Sequence, residues 1–150
     1  MSDILREIGL IYRTLSAISN VEFKDWGLHK GQYLYVTRIF ENPGIINDNL
    51  ADLVKQERTV VAKSVKKLEE DGFIRKERDS ENQKIRCLYV TEKGQEAYQF
   101  LRREEHYSES QILEGFSPIE KVALLDYLKR LNENLADDWH SLKKGQKRQY

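Results

Sequence analysis

Apolar residues recur at Ile4, Ile8, Ile11, Leu15 and Ile18, in steps of 4, 3, 4 and 3. That spacing predicts a helix from Ile4 to about Asn20 with a narrow apolar stripe suited to a partner helix, weakened a little by Gly9. Residues 21–29, with Phe23, Trp26 and Gly27, read as a connector. A second helix is predicted from about Lys30 to Glu41, stopped by Asn42-Pro43-Gly44. Two short helices follow, over 47–54 and 57–71, the second ended by Gly72. The period then changes. FIRKER (73–78) and IRCLYV (85–90) predict the strands of a hairpin around the polar tip 79–84. A further strand around Gly44–Ile46 is expected to pair with that hairpin. Thr91 is expected to cap a long helix that breaks at Gly115. Ser117-Pro118-Ile119-Glu120 spells a capping box with proline in the first turn. The helix it opens is predicted to carry Leu124, Leu128, Leu131, Leu135, Trp139 and Leu142 on one face, ending in the frayed basic tail KKGQKRQY.

The fold class this predicts is mainly α with a small β wing. Two short helices with a charged hairpin beside them make a winged helix-turn-helix, which sets one helix in the DNA major groove and the hairpin on the neighbouring backbone. The helix-turn-helix spans about 47–70 and the wing about 73–90, within a DNA-binding region over 30–94. The terminal helices, 1–20 and 95–145, have more apolar face than so small a core can cover. They are therefore expected to dimerise a single protomer of 150 residues. Ile4, Ile8, Ile11, Leu15, Leu128, Leu131, Leu135 and Trp139 are the expected interface. A two-fold dimer would hold its recognition helices roughly 34 Å apart, one DNA turn.

Charge sharpens this picture. The chain is neutral overall, with 25 basic and 25 acidic residues. Yet residues 55–86 carry ten Lys/Arg against seven acids, 87–139 carry six against eleven, and 140–150 carry four bases and no acid. The local field, not the average, meets phosphate. In the second short helix Val61, Val65 and Leu68 are spaced to face the core, leaving Thr59, Val60, Lys63, Ser64, Lys66 and Lys67 on outer or flanking faces. Thr59, Val60 and Lys63 are expected at base edges, Val60 on a thymine methyl and Lys63 on guanine. Ser64 flanks them. Arg58 and Lys67, with Lys84 and Arg86 of the wing, are expected on phosphates. The plain alternative is a solvated helix face, and a hairpin edge kept from aggregating by its lysines.

The phrase RTVVAKSVKKLEEDGFIRKERD, with Leu68-Glu69-Glu70-Asp71-Gly72-Phe73-Ile74 and Val90-Thr91-Glu92-Lys93-Gly94, resembles the MarR/SlyA family of bacterial transcription regulators over essentially the whole chain. The resemblance implies a homodimer on a pseudo-palindromic operator, usually a repressor, in many members released by a small aromatic effector. The wing departs from the family's pattern. Asn82, Gln83 and Lys84 stand where an aspartate and two arginines are usual, which implies less minor-groove readout because lysine lacks arginine's planar fork. Ile46 stands where Ser or Thr usually caps the first short helix.

Other chemistry finds little support. No HExxH, CxxC, GxSxG or P-loop spacing occurs, and His29, His106 and His140 are far apart, so no enzyme, metal or cofactor is expected. Glu104, Glu105, His106 and Glu109 read as a solvated acidic face, with a metal-dependent regulator the distant option. Tyr12, Trp26, His29, Tyr33 and Tyr35 read as core or interface, and no effector residue is assigned. Cys87, the single cysteine, is expected buried and inert, in keeping with a reducing cytoplasm. The N-terminus lacks the pattern of a signal peptide, and no apolar run approaches a membrane span. The rival function is a helical protein-interaction module that uses the winged helix without specific DNA binding.

Overall fold

The computed structural model describes residues 3–150. Its contacts divide the chain into two compact units, Met1–Glu104 and Glu105–Tyr150. The first holds α1 (Asp3–Glu22), a 3₁₀ turn (Lys24–Trp26), α2 (Gln32–Glu41), α3 (Asn47–Val54), α4 (Arg58–Glu70), β1 (Ile74–Arg78), β2 (Arg86–Val90) and the start of α5 (Glu92–Ile112). The second holds the end of α5, α6 (Pro118–Asn134) and α7 (Ala136–Lys143).

The core of the first unit runs from Phe23 to Leu101. Tyr35, Val36 and Ile39 of α2, Leu50 and Ala51 of α3, and Val61, Val65 and Leu68 of α4 meet Phe73, Ile74 and Leu88 of the wing and Ala97 and Leu101 of α5. The 4 and 3 steps of α4 therefore do face inward. Phe23 anchors the connector, with ring centroids 4.9 Å from Tyr33 and 6.0 Å from Phe100. Of the singled-out aromatics Tyr35 is buried, Trp26 and Tyr33 pack partly buried against the core, and Tyr12 is exposed.

Two junctions fix the wing. After α4 the chain turns through Gly72 at φ 84°. Phe73 N donates to Leu68 O at 2.9 Å and Gly72 N to Glu69 O at 3.1 Å. This is a Schellman motif, and buried Phe73 and Leu68 supply its apolar contact. Thr91 then closes the hairpin onto that turn. Its hydroxyl donates to Gly72 O at 2.5 Å and accepts from Gly94 N at 3.2 Å, the N-cap expected of it. A Cβ on Gly94 would overlap the Phe73 carbonyl oxygen, so the first turn of α5 can approach β1 only with glycine there. Lys93 adds a bond from Nζ to Asp71 O at 2.7 Å and lies over the Phe73 ring. The Thr-x-x-Gly signature is thus a clamp between α5 and the end of α4.

Several expectations need correction. The last helix is not continuous. It breaks at Leu135, whose N–H bonds the i−3 carbonyl of Asn132, and Asn132 itself bonds back to Leu128 O at 3.2 Å. The i−3 bond in place of i−4 tightens that turn, so Trp139 and Leu142 belong to α7 and not to the Leu124–Leu131 face. The stretch 44–46 makes one isolated bridge, Ile45 to Leu88, instead of a strand. Helix α1 runs on to Glu22, and α2 starts at Gln32 because Lys30 and Gly31 take positive φ. Cys87 is half-buried, with Sγ 3.9 Å from Asp79 Oδ2.

In the second unit Ser117 and Glu120 form the capping box in full. Neither α6 nor α7 buries a side chain. No helix of the described residues is long and apolar enough to cross a membrane.

Candidate nucleic-acid interface

Helices α3 and α4 meet through a turn in which Lys55 takes the left-handed conformation at φ 54°. Ile46 makes no side-chain cap on α3, as its chemistry predicts, and Glu57 makes none on α4. The first N–H groups of α4 therefore have no side-chain cap to occupy them.

Packing decides the outward face of α4. With Val61, Val65 and Leu68 buried, Thr59, Lys63 and Lys66 stand opposite them and are exposed. Val60 is 41% exposed on one flank, with Ser64 half-buried and Lys67 exposed beside it. Arg58 lies on the other flank. The structure thus gathers Thr59, Lys63 and Lys66 on one face and sets Val60, Ser64, Lys67 and Arg58 at its sides. Lys66 was not among the expected contact residues, although the spacing that buries Val65 points it outward with Lys63. Arg58 and Lys67 are not free cations. Arg58 Nε lies 3.3 Å from Asp48 Oδ1, and Lys67 Nζ 3.0 Å from Asp71 Oδ2.

The wing pairs β1 and β2 antiparallel, from Ile74 with Val90 to Arg78 with Arg86. Like charges directly opposite repel. Arg86 turns its guanidinium to Gln83 O at 2.6 Å, and Lys84 is exposed. Arg78, also exposed, is a second basic residue that only the register brings beside Arg86. Asp79 organises the tip. One carboxylate oxygen accepts from Glu81 N at 2.8 Å and Asn82 N at 3.0 Å. Those two N–H groups, Asn82's first, hold its carboxyl below the ordinary aspartate range. Asn82, where the family pattern has an acid, accepts from Lys84 N at 3.1 Å.

The expected interface residues divide by exposure. Ile4, Ile8, Ile11, Leu128, Leu131 and Leu135 are exposed, and Leu15 and Trp139 are half-buried. No group of three or more metal-ligating side chains occurs among the described residues.

Comparison with known proteins agrees with this geometry. The family model described as MarR family matches residues 28–85. The chain is 51% identical to an uncharacterized HTH-type transcriptional regulator of Bacillus subtilis (strain 168), YybA, over all 150 residues and the whole of that protein. The crystal structure of a putative MarR family transcriptional regulator from Listeria monocytogenes complexed with 26mer DNA superposes with a TM-score of 0.96 at 48% identity, covering all of both chains. That of the transcriptional regulator SlyA superposes with a TM-score of 0.90 at 48% identity, covering 95% of this chain and all of the other. The chain therefore belongs to the MarR family of transcriptional regulators, built as a winged helix-turn-helix.

Proposed function

We propose that this protein binds double-stranded DNA as a homodimer on a pseudo-palindromic operator, as a repressor, in the cytoplasm and by binding rather than catalysis. One observation carries the reading. The exposed face of α4 presents Thr59, Lys63 and Lys66 away from the core, beside a basic wing. Thr59, Val60 and Lys63 would meet base edges, with Arg58, Ser64, Lys67, Lys84 and Arg86 holding the backbone. The DNA carried by the Listeria relative supports the same reading here. The homodimer is supported by α1, α6 and α7, which bury no side chain within one chain although all three carry large apolar residues. Release by a small aromatic effector rests on the family resemblance alone, and no residue is assigned to it.

The test is selection of bound duplexes from a random pool, read by sequencing. An inverted repeat with half-sites about 10 bp apart is expected. No enrichment by a folded, dimeric protein would favour the protein-interaction module instead. Within the selected site, Lys63→Ala is expected to cost about 1–3 kcal/mol and to relax preference at one base pair. Uniform weakening across all sequences would make Lys63 a phosphate contact.

A further inference from the structure

The bases of the proposed DNA face fall into two groups. Arg58 and Lys67 each hold a carboxylate of this chain, Asp48 and Asp71. Lys63, Lys66, Lys84 and Arg86 hold none among the described residues, Arg86 bonding the Gln83 carbonyl instead. The Arg58 pair joins α3 to α4 across the helix-turn-helix, so it is a product of the fold and not of neighbouring sequence positions.

We propose that Asp48, by occupying Arg58, and in a lesser part Asp71, by occupying Lys67, set the salt dependence and the specificity of DNA binding. The inference rests on the DNA-binding reading above. An unpaired lysine that meets a phosphate releases the counterion condensed there, and each such contact adds about 0.9 to the slope of log affinity against log salt. A guanidinium that must first leave Asp48 behaves differently. The pair it leaves is itself screened by salt, so breaking it costs less as salt rises, and this offsets part of the slope that the new phosphate contact adds.

Non-specific attraction then comes from Lys63, Lys66, Lys84 and Arg86. Arg58 joins only where the other contacts compensate for the broken pair, as they do on the operator. The pair is suited to such exchange. Its side chains are 78% and 55% exposed, and ion pairs that wet are weak. Asp48 also stands in the first turn of α3, where the helix dipole favours its charge and keeps it in place. Asp71, at the end of α4, retains its backbone bond from Lys93 whichever way its carboxylate turns.

The full-length chain tests this with a random-sequence duplex, by fluorescence anisotropy across a salt series. Asp48→Asn keeps the shape and removes the charge. It is expected to tighten non-specific binding several-fold at low salt and to steepen the slope by up to about 0.9. Asp71→Asn should do the same to a smaller extent through Lys67. Adding Arg58→Gln to Asp48→Asn should remove the gained slope, which a merely structural role for Asp48 would not predict, and Asp48→Glu should restore the wild-type slope. An unchanged slope in Asp48→Asn, with the wild type clearly salt-dependent, would overturn this inference alone. So would a gained slope that survives Arg58→Gln. A wild type with no salt-dependent binding would overturn the DNA reading and this inference together.

Discussion

The winged helix and the terminal helices solve the same problem in opposite ways. Every buried apolar residue among those described lies between Phe23 and Leu101, shared by the connector before α2, by α2, α3 and α4, the wing, and the start of α5. Helices α1, α6 and α7 bury none, and Ile4, Leu5, Ile119 and Val122 are each more than 60% exposed. Local signals are not what separates them, since α6 has the better N-terminus, with a full capping box where α3 and α4 have no side-chain cap. Helices are held mainly by packing of an apolar face and not by caps or propensity. The winged helix has that packing within one chain, whereas the terminal helices do not, and in the proposed dimer they would find it in a second. The winged helix is thus a finished fold, and on the proposed reading its pairing into a two-headed reader would depend on the unfinished one.

The largest test of this contrast is removal of residues 118–150. The truncated chain should sediment as a monomer while its helical signal and the Phe23–Leu101 core persist. Operator affinity should fall toward the non-specific level, by about 10³-fold or more. A truncated chain that stays dimeric would move the interface off α6 and α7.

Damage to the finished core should act the other way, on folding first. Leu68 is 1% exposed at the Schellman turn. Leu68→Ala is expected to cost about 2–5 kcal/mol in denaturant unfolding, through lost transfer energy and the cavity left behind. Gly94→Ala probes the same junction from α5. Its Cβ meets a backbone carbonyl that cannot swing aside, so a loss of about 1–3 kcal/mol is expected. No loss would mean that α5 can retreat from β1 freely, and that the signature does not clamp the wing.

Much of this organisation is legible in the residues alone, for physical reasons that can be named. The inward row of α4, the Gly72 stop, the Thr91 cap and the Ser117 capping box each rest on contacts within a few residues. What escaped needs the third dimension. The leucine spacing runs through Leu135 without a break, although the backbone does not, because the Leu135 N–H turns to the i−3 carbonyl of Asn132. The pairing of Arg58 with Asp48 spans a turn, and the meeting of Arg78 with Arg86 depends on strand register. Lys66 was within reach, since the spacing that buries Val65 places it beside Lys63.

The smallest expected effect lies at the wing tip, the part of the finished fold with least packing behind it. Asp79 holds the turn by accepting two backbone N–H groups, and these favour its charged form. A carboxyl whose folded value is depressed contributes order that is complete above its unfolded value and is lost as pH falls through the folded one. The tip should therefore be intact at neutral pH and loosen only in acid below the ordinary aspartate range. The Asp79 carboxyl, followed by NMR, should titrate below that range, and Asp79→Ala should speed amide exchange at Glu81 and Asn82 with little change in the unfolding midpoint. If Asp79 titrates like a free aspartate, the tip is held by the strand ladder alone. The wing would then present Lys84 and Arg86 from a mobile loop, and the finished half of the molecule would end at the strands, short of the tip.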